Sequence, residues 1–312
     1  MLFERETLEK IGEFVEKKDL KSLESLIKEP KRKRVKKSSF RSALMVSPHR
    51  VRHLNRLDSL EADVAIINLE DGVSPQLKPV ALRLAALALS YIKSGDTMMV
   101  VRVNPLDSGG AEEIEFLAPF RPDAFRISKV KNDSDVKKAL DLVPDADIHL
   151  SIETKEALLN IEKLKLSSRV SAAYLGILDM LADLRIPHSA LKISNPTADY
   201  ILSRFLVGCK TAEIFPVSFV YQDYKNLEQF RKWCLYEREM GFSAKGCISP
   251  DQVDIVNEIF GSDFERERAE YIKARFEEMS KRGISGFSDE KYGFIDEPIY
   301  KDALNILRKF NN

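Results

Sequence analysis

The chain has 312 residues, 44% hydrophobic and 31% charged, proportions ordinary for a globular protein with room for one large core. Its 49 basic and 49 acidic side chains cancel, which removes any global electrostatic case for nucleic acid or an anionic membrane as partner. The three cysteines, Cys209, Cys234 and Cys247, are far apart and form no Cys-x-x-Cys pair, so they read as buried reduced thiols and not as a zinc or redox site.

Residues 1–19 are charged throughout and lack the apolar centre of a signal peptide, so a cytoplasmic protein is expected. The most apolar later stretch, residues 81–92, contains Arg83 and falls well short of the roughly 20 residues that cross a bilayer. Residues 4–28 show helical periodicity with Leu8, Ile11, Phe14 and Val15 on one face, an added arm that must pack on the rest of the chain or on a neighbour. The run PKRKRVKKSS at 30–39 has no interleaved aromatics and reads as a solvated linker more readily than as a nucleic-acid surface.

From Ser42 onward apolar strand patterns alternate with amphipathic helices. The strand patterns cover residues 43–46, 64–69, 98–103, 124–128, 148–152, 172–175, 214–219 and 246–248. Helical patterns, among them 77–92, 156–166, 198–209 and 226–240, separate them. Strict alternation calls for a parallel sheet, and eight units without a Gly-rich dinucleotide turn fit a closed (β/α)8 TIM barrel of the α/β class. The expected division is a helical arm and basic linker at 1–38, the barrel at 39–262 and a C-terminal helical extension at 263–312. No catalytic candidate precedes Ser42, so the arm is expected to be dispensable for chemistry.

Three strand patterns end in a charge: VVRVNP (100–105) in Arg102, HLSIET (149–154) in Glu153, and YLGILDM (174–180) in Asp179. Buried parallel strands read as nearly unbroken apolar runs, so a charge at the carboxyl end is commonly a ligand-handling group. Each alone could be a solvated cap or an ion pair; their recurrence at one end of the barrel argues for a shared small-anion basin. Glu70 and Asp71 of INLEDG (67–72) would join them, and four carboxylates beside one arginine call for a cation. His49 and His53 read as surface groups and His149 as a packed interior one. Tyr221, Asp223 and Tyr224 could line the mouth.

RSALMVSP, NLEDGVSPQLK, VRVNPLDS, SIET, LGILDMLADL and GFSAKGCISPDQVDIVNEIF resemble, in order and spacing, motifs of the citrate lyase beta subunit and malyl-thioester lyase family, grouped with the HpcH/HpaI aldolases. The resemblance covers about residues 40–260. It implies a Mg²⁺-dependent carbon-carbon lyase that splits a citryl, malyl or citramalyl 3-hydroxyacyl thioester into an acyl thioester and a 2-oxo acid such as oxaloacetate. It further implies that Glu153 and Asp179 ligate the metal, that Arg102, with Asn104 and Pro105 beside it, holds the substrate carboxylate, and that Glu70 and Asp71 serve catalysis by supporting metal-bound waters. The thioester carrier, coenzyme A or acyl carrier protein, stays open, and a trimer or hexamer is implied.

Departures from the family pattern leave a second reading, a catalytically silent binding or assembly subunit. Leu178 stands where an acidic neighbour of the metal ligand is usual, and Ser249 where a histidine is. Asn68 replaces an aspartate, and the arginine expected four residues after Lys78 is Leu82, with Arg83 one position late.

Overall fold

The computed structural model describes residues 1–93, 95–261 and 263–310. Ser262, at the expected boundary of barrel and extension, and Asn311 and Asn312 at the end of the extension lie outside the described residues. The chain divides into two compact units, residues 1–36 with 40–260 and residues 37–39 with 261–312.

In chain order the first unit holds α1 (Arg5–Glu16), α2 (Leu20–Ser25), β1 (Ser42–Val46), α3 (Val51–Leu54), β2 (Val64–Asn68), α4 (Lys78–Tyr91), β3 (Met98–Val103), α5 (Ala111–Leu117), β4 (Ala124–Ile127) and α6 (Asp133–Leu142). It continues with β5 (Asp147–Ile152), α7 (Lys155–Leu159), β6 (Val170–Leu175), α8 (Ile177–Asp183), α9 (Pro196–Thr211), β7 (Phe215–Val217), α10 (Leu227–Met240), β8 (Lys245–Cys247) and α11 (Pro250–Phe260). Each strand lies where the apolar alternation put it, with ends shifted by a residue or two.

All eight strands pair in parallel in the order β7-β6-β5-β4-β3-β2-β1-β8. The ring closes between β7 and β8 through a parallel bridge from Ser218 to Lys245: Ser218 N donates to Ala244 O at 2.9 Å and Gly246 N to Ser218 O at 3.0 Å. The fold is a (β/α)8 barrel. Outward-facing residues such as Leu44, Ile67, Val101 and Leu150 join the helices in the main core. Inside the ring the amino-terminal half is apolar, filled by Phe40, Val64, Ile66, Met98, Val100, Ala172 and Val217. Two residues further along the strands the same faces carry Asn68, Arg102, Arg126, Ser151 and Glu153, all buried. Strand periodicity thus stacks a polar layer on an apolar plug.

The arm packs on this unit. Ile11 and Leu23 are sealed from solvent, Phe3 meets Tyr91 edge-on at 5.1 Å, and Arg83 of α4 pairs with Glu24 of α2 at 2.8 Å. The displaced arginine of the sequence pattern therefore serves the arm. Helix α4 is buried almost all round, at Val80, Ala81 and every residue from Leu84 to Ser90.

The basic run is not the solvated linker that its composition suggests. The Arg32 side chain is sealed and bonds Asp123 Oδ2 at 2.6 Å, while Val35 N and Met99 N each donate to the same carboxylate. Arg34 grips Asp145 at 2.7 Å and Pro122 O at 3.0 Å. A charge run can be drawn inward by a single buried carboxylate at the foot of a strand, which composition does not reveal.

The second unit contains α12 (Asp263–Ser280), an antiparallel hairpin of β9 (Gly286–Asp289) and β10 (Gly293–Asp296), and α13 (Glu297–Phe310). Ala269, Ile272, Phe276, Phe287, Ile295 and Ala303 form its core. The helices were expected and the hairpin was not. Asp289 is buried and accepts from Lys291 N, Tyr292 N and the Tyr271 hydroxyl, a structural post. Among the described residues no helix is long and apolar enough to cross a membrane.

Candidate active site

At the carboxyl end of the strands the barrel opens into a basin of about 700 Å³, lined among others by Asn68, Asp71, Arg102, Arg126, Glu153, Asp179 and Ser249. Arg102 ends β3 with its side chain turned inward and almost wholly buried. Its Nη2 lies 2.8 Å from Glu70 Oε2, 3.3 Å from Glu153 Oε2 and 3.6 Å from Asp71 Oδ2. Its Nε donates to Ser128 Oγ at 3.1 Å, whose own hydroxyl is anchored on Val103 O. Four points fix the plane of the guanidinium, which lysine could not reproduce.

Glu153 follows β5 and is buried. Besides Arg102 it accepts from Lys129 N at 2.7 Å. Lys129, which the sequence reading passed over, holds a left-handed backbone at φ 52 and sends its Nζ to Glu70 Oε1 at 3.1 Å. Gly176 faces Glu153 at the start of α8, and a Cβ there would stand 2.6 Å from Glu153 Oε2. The missing side chain leaves that carboxylate room beside the first turn of α8, which presents Asp179, exposed toward the basin.

The INLEDG turn is organised by Asn68, whose side-chain amide donates to Asp71 O and accepts from Glu70 N. Asp71 N donates to Glu70 Oε2 at 2.6 Å, and Gly72 turns the chain at φ +86. Burial works to raise the Glu70 carboxyl, but the hydrogen bonds from Asp71 and the Arg102 charge overcome it and hold the group at about 2. Burial, with the proton-sharing and repulsion of Glu70, pushes Asp71 up to about 6.

The structure thus brings Arg102, Asp71, Glu153 and Asp179 to one basin, with Glu70 buried behind them. It does not bring Asn104 or Pro105 there. Asn104 donates its backbone and side-chain N–H groups to Glu113, donates to Leu69 O and accepts from Lys78, so every polar atom of its side chain is engaged in tying β3 to its neighbours. Pro105 lines a separate hollow with Leu106, Lys131 and Thr154. His53 lies at the basin edge, and His149 is packed inside the ring against Phe40 and the Tyr174 hydroxyl. Burial, with Arg126 nearby, drives the His149 imidazole down to about 3, so it is neutral. Leu178 and Ser249 both line the basin, and Ser249 Oγ caps α11 by accepting from Gln252 N at 3.3 Å.

The family profile of the HpcH/HpaI aldolases and citrate lyases matches residues 41–250. The chain belongs to that family. A (3S)-malyl-CoA thioesterase of Cereibacter sphaeroides is 31% identical over 246 residues, covering 78% of this chain and 85% of the relative. The mitochondrial citramalyl-CoA lyase of Homo sapiens is 28% identical over 288 residues, covering 86% and 84%. The Mycobacterium tuberculosis CitE protein, solved with magnesium, acetoacetate and coenzyme A, superposes with a TM-score of 0.72 at 21% identity, covering 88% of this chain and all of that one. At that identity the likeness establishes the shared barrel.

Proposed function

We propose that the basin is the site of a Mg²⁺-assisted lyase that cleaves a 3-hydroxyacyl coenzyme A thioester to an acyl thioester and a 2-oxo acid. The observation that carries this reading is the convergence of Arg102 and Glu153, from the ends of β3 and β5, and Asp179, from the first turn of α8, on one cavity. Glu153 and Asp179 would hold the cation. The donor set fits in kind: both are oxygen ligands that line the same basin, and the missing side chain of Gly176 clears the approach to Glu153. Magnesium keeps several positions for water or substrate and asks for few protein carboxylates. When bound it would supply positive charge where the substrate oxygens gather negative charge.

The remaining work falls to the chain itself. Arg102, its plane fixed by Ser128 and Glu70, would receive the substrate carboxylate on the donors that Ser128, Glu70 and Glu153 leave free. Glu70 orients Arg102 and Lys129 at once and stays ionised. Asp71, open to the basin and holding its proton up to about pH 6, is the group placed to exchange one with substrate. In the cleavage direction the 3-hydroxyl loses its proton and the C2–C3 bond breaks, the oxygen lone pair becoming the carbonyl of the 2-oxo acid. The bonding electrons become the thioester enolate, which is then protonated at carbon.

The thioesterase relative favours a second reading, hydrolysis of the thioester on the same scaffold. Incubation of the protein and Mg²⁺ with citryl, malyl and citramalyl coenzyme A separates the two. Acyl coenzyme A with a 2-oxo acid supports the lyase; free coenzyme A with a hydroxy acid supports the hydrolase; no product from any of them supports a silent subunit. A homo-oligomer, trimer or hexamer, belongs to the proposal and is read by light scattering.

A further inference from the structure

Among the described residues four cationic side chains are buried: Arg32, Arg102, Arg126 and Lys245. Arg32 pairs with Asp123 at 2.6 Å, Lys245 with Glu237 at 2.6 Å, and Arg102 with three carboxylates. Arg126 has no carboxylate within ion-pair distance. Its Nε donates to Ser151 Oγ at 2.8 Å and its guanidinium lies over the Tyr174 ring, 4.2 Å from the centroid. The rest of its donor edge lines the basin. Only 4% of the residue is exposed, yet burial and the neighbouring Arg102 pull it down only to about 10, so the charge persists at neutral pH.

Buried charges are ordinarily paired, because an unmatched ion in a dry interior is costly. Here the mismatch sits inside the substrate cavity. Arg126 and Arg102 are register partners on β4 and β3, so their backbones stand about 4.8 Å apart and both side chains enter the ring. Arg102 is surrounded by the chain's own carboxylates; Arg126 feels Glu153 and Glu70 only from farther off, and among the described residues no carboxylate touches it.

We infer that Arg126 is a second carboxylate receptor, which selects a substrate whose acid half carries two carboxylates. This rests on the lyase reading of the same basin. Of the 2-oxo acids that such a lyase would release, oxaloacetate has the second carboxylate, whereas pyruvate and glyoxylate do not.

Calorimetry of the unmodified protein with Mg²⁺ should show oxaloacetate binding about 10- to 100-fold more tightly than pyruvate, the effect of one charge-assisted hydrogen-bonded pair. In R126M the ratio should fall toward one, with R126K intermediate. Equal affinities in the unmodified protein, or a ratio unchanged in R126M, would overturn the inference; the first comparison needs no variant to fold. Malonate against acetate, titrated without metal, tests the same residue apart from lyase chemistry. If Mg²⁺ does not bind but malonate is still preferred through Arg126, the lyase reading falls and this inference stands. If Mg²⁺ and pyruvate bind and neither dicarboxylate is preferred, the inference falls and the lyase reading survives.

Discussion

Gly176 stands so close to Glu153 that a single methyl group on it would meet the carboxylate oxygen at 2.6 Å. Gly176 caps α8, the helix whose first turn carries Asp179, so the contact joins that turn to the residue that follows β5. Gly176→Ala should leave the barrel folded, since its backbone lies at an ordinary φ of −92, and should push Glu153 aside. Mg²⁺ affinity should fall about 10- to 100-fold, the usual cost of disturbing groups around a metal ligand. Glu153→Ala and Asp179→Ala should each fall further. Calorimetry with MgCl₂ checks this; parental affinity in either alanine variant removes that residue from the site.

Arg102→Lys keeps the charge and loses the fork. Lysine cannot serve Ser128, Glu70 and an incoming carboxylate from one planar head. We expect 2-oxo acid affinity to drop about 10- to 100-fold with little change in Mg²⁺ affinity, consistent with the loss of charge-assisted contacts. Unchanged binding of both pyruvate and oxaloacetate would take Arg102 out of the substrate contact.

The Glu70 and Asp71 pair should leave a signature in pH. Asp71 holds its proton up to about 6, above its unfolded value, so its contribution to stability is present below the ordinary aspartate range and is lost as pH rises through about 6. Glu70 is depressed to about 2, so its contribution is present above the ordinary glutamate range and is lost as pH falls through about 2. Glu70→Gln removes the repulsion, and the Asp71 titration should move down toward the ordinary aspartate range. Carboxyl NMR titration reads this directly; an Asp71 midpoint that stays near 6 in the variant would show that burial alone sets it.

The buried Arg32 carries a stability prediction. Arg32→Met leaves the Asp123 side chain dry and held only by the N–H groups of Val35 and Met99. Breaking such a pair from one side costs about 3–5 kcal/mol. Urea unfolding should report it, and a loss under 1 kcal/mol would show that water reaches Asp123. A chain that begins at Ser38 would lose this pair together with the burial of Ile11 and Leu23, so where the sequence alone suggested a barrel that stays folded without the arm, we expect the truncated chain to unfold at lower urea than the full one; equal midpoints would show that the arm adds nothing to stability.

The eight strands were legible in the sequence because buried parallel strands are continuous apolar runs, and Arg102, Glu153 and Asp179 were legible because each interrupts such a run at its end. Asn104 and Pro105 misled through adjacency: two residues past Arg102 the chain has left the ring, and Glu113, distant in pattern, claims the amide. Arg126 was hidden inside FRISKV because a mid-strand arginine suggests no position by itself; its period-two spacing from Ala124 and Ser128 would have turned it inward. Lys129 acts on Glu153 through its backbone N–H, which no side-chain pattern records. Arg32 was misread because its partner is a lone aspartate some 90 positions away. The hairpin of the second unit had a signal in the near-repeat GFSD and GFID at 286–289 and 293–296.

Helix α4 has almost no solvent face, and α2, which packs on it, precedes every barrel strand in the chain. During synthesis α1 and α2 leave the ribosome before any barrel strand does, so the greasy outer surface of α4 meets its lid on emergence instead of waiting for a later helix or a second molecule. The order of elements along the chain would thus shorten the time for which the apolar outer face of α4 stands uncovered.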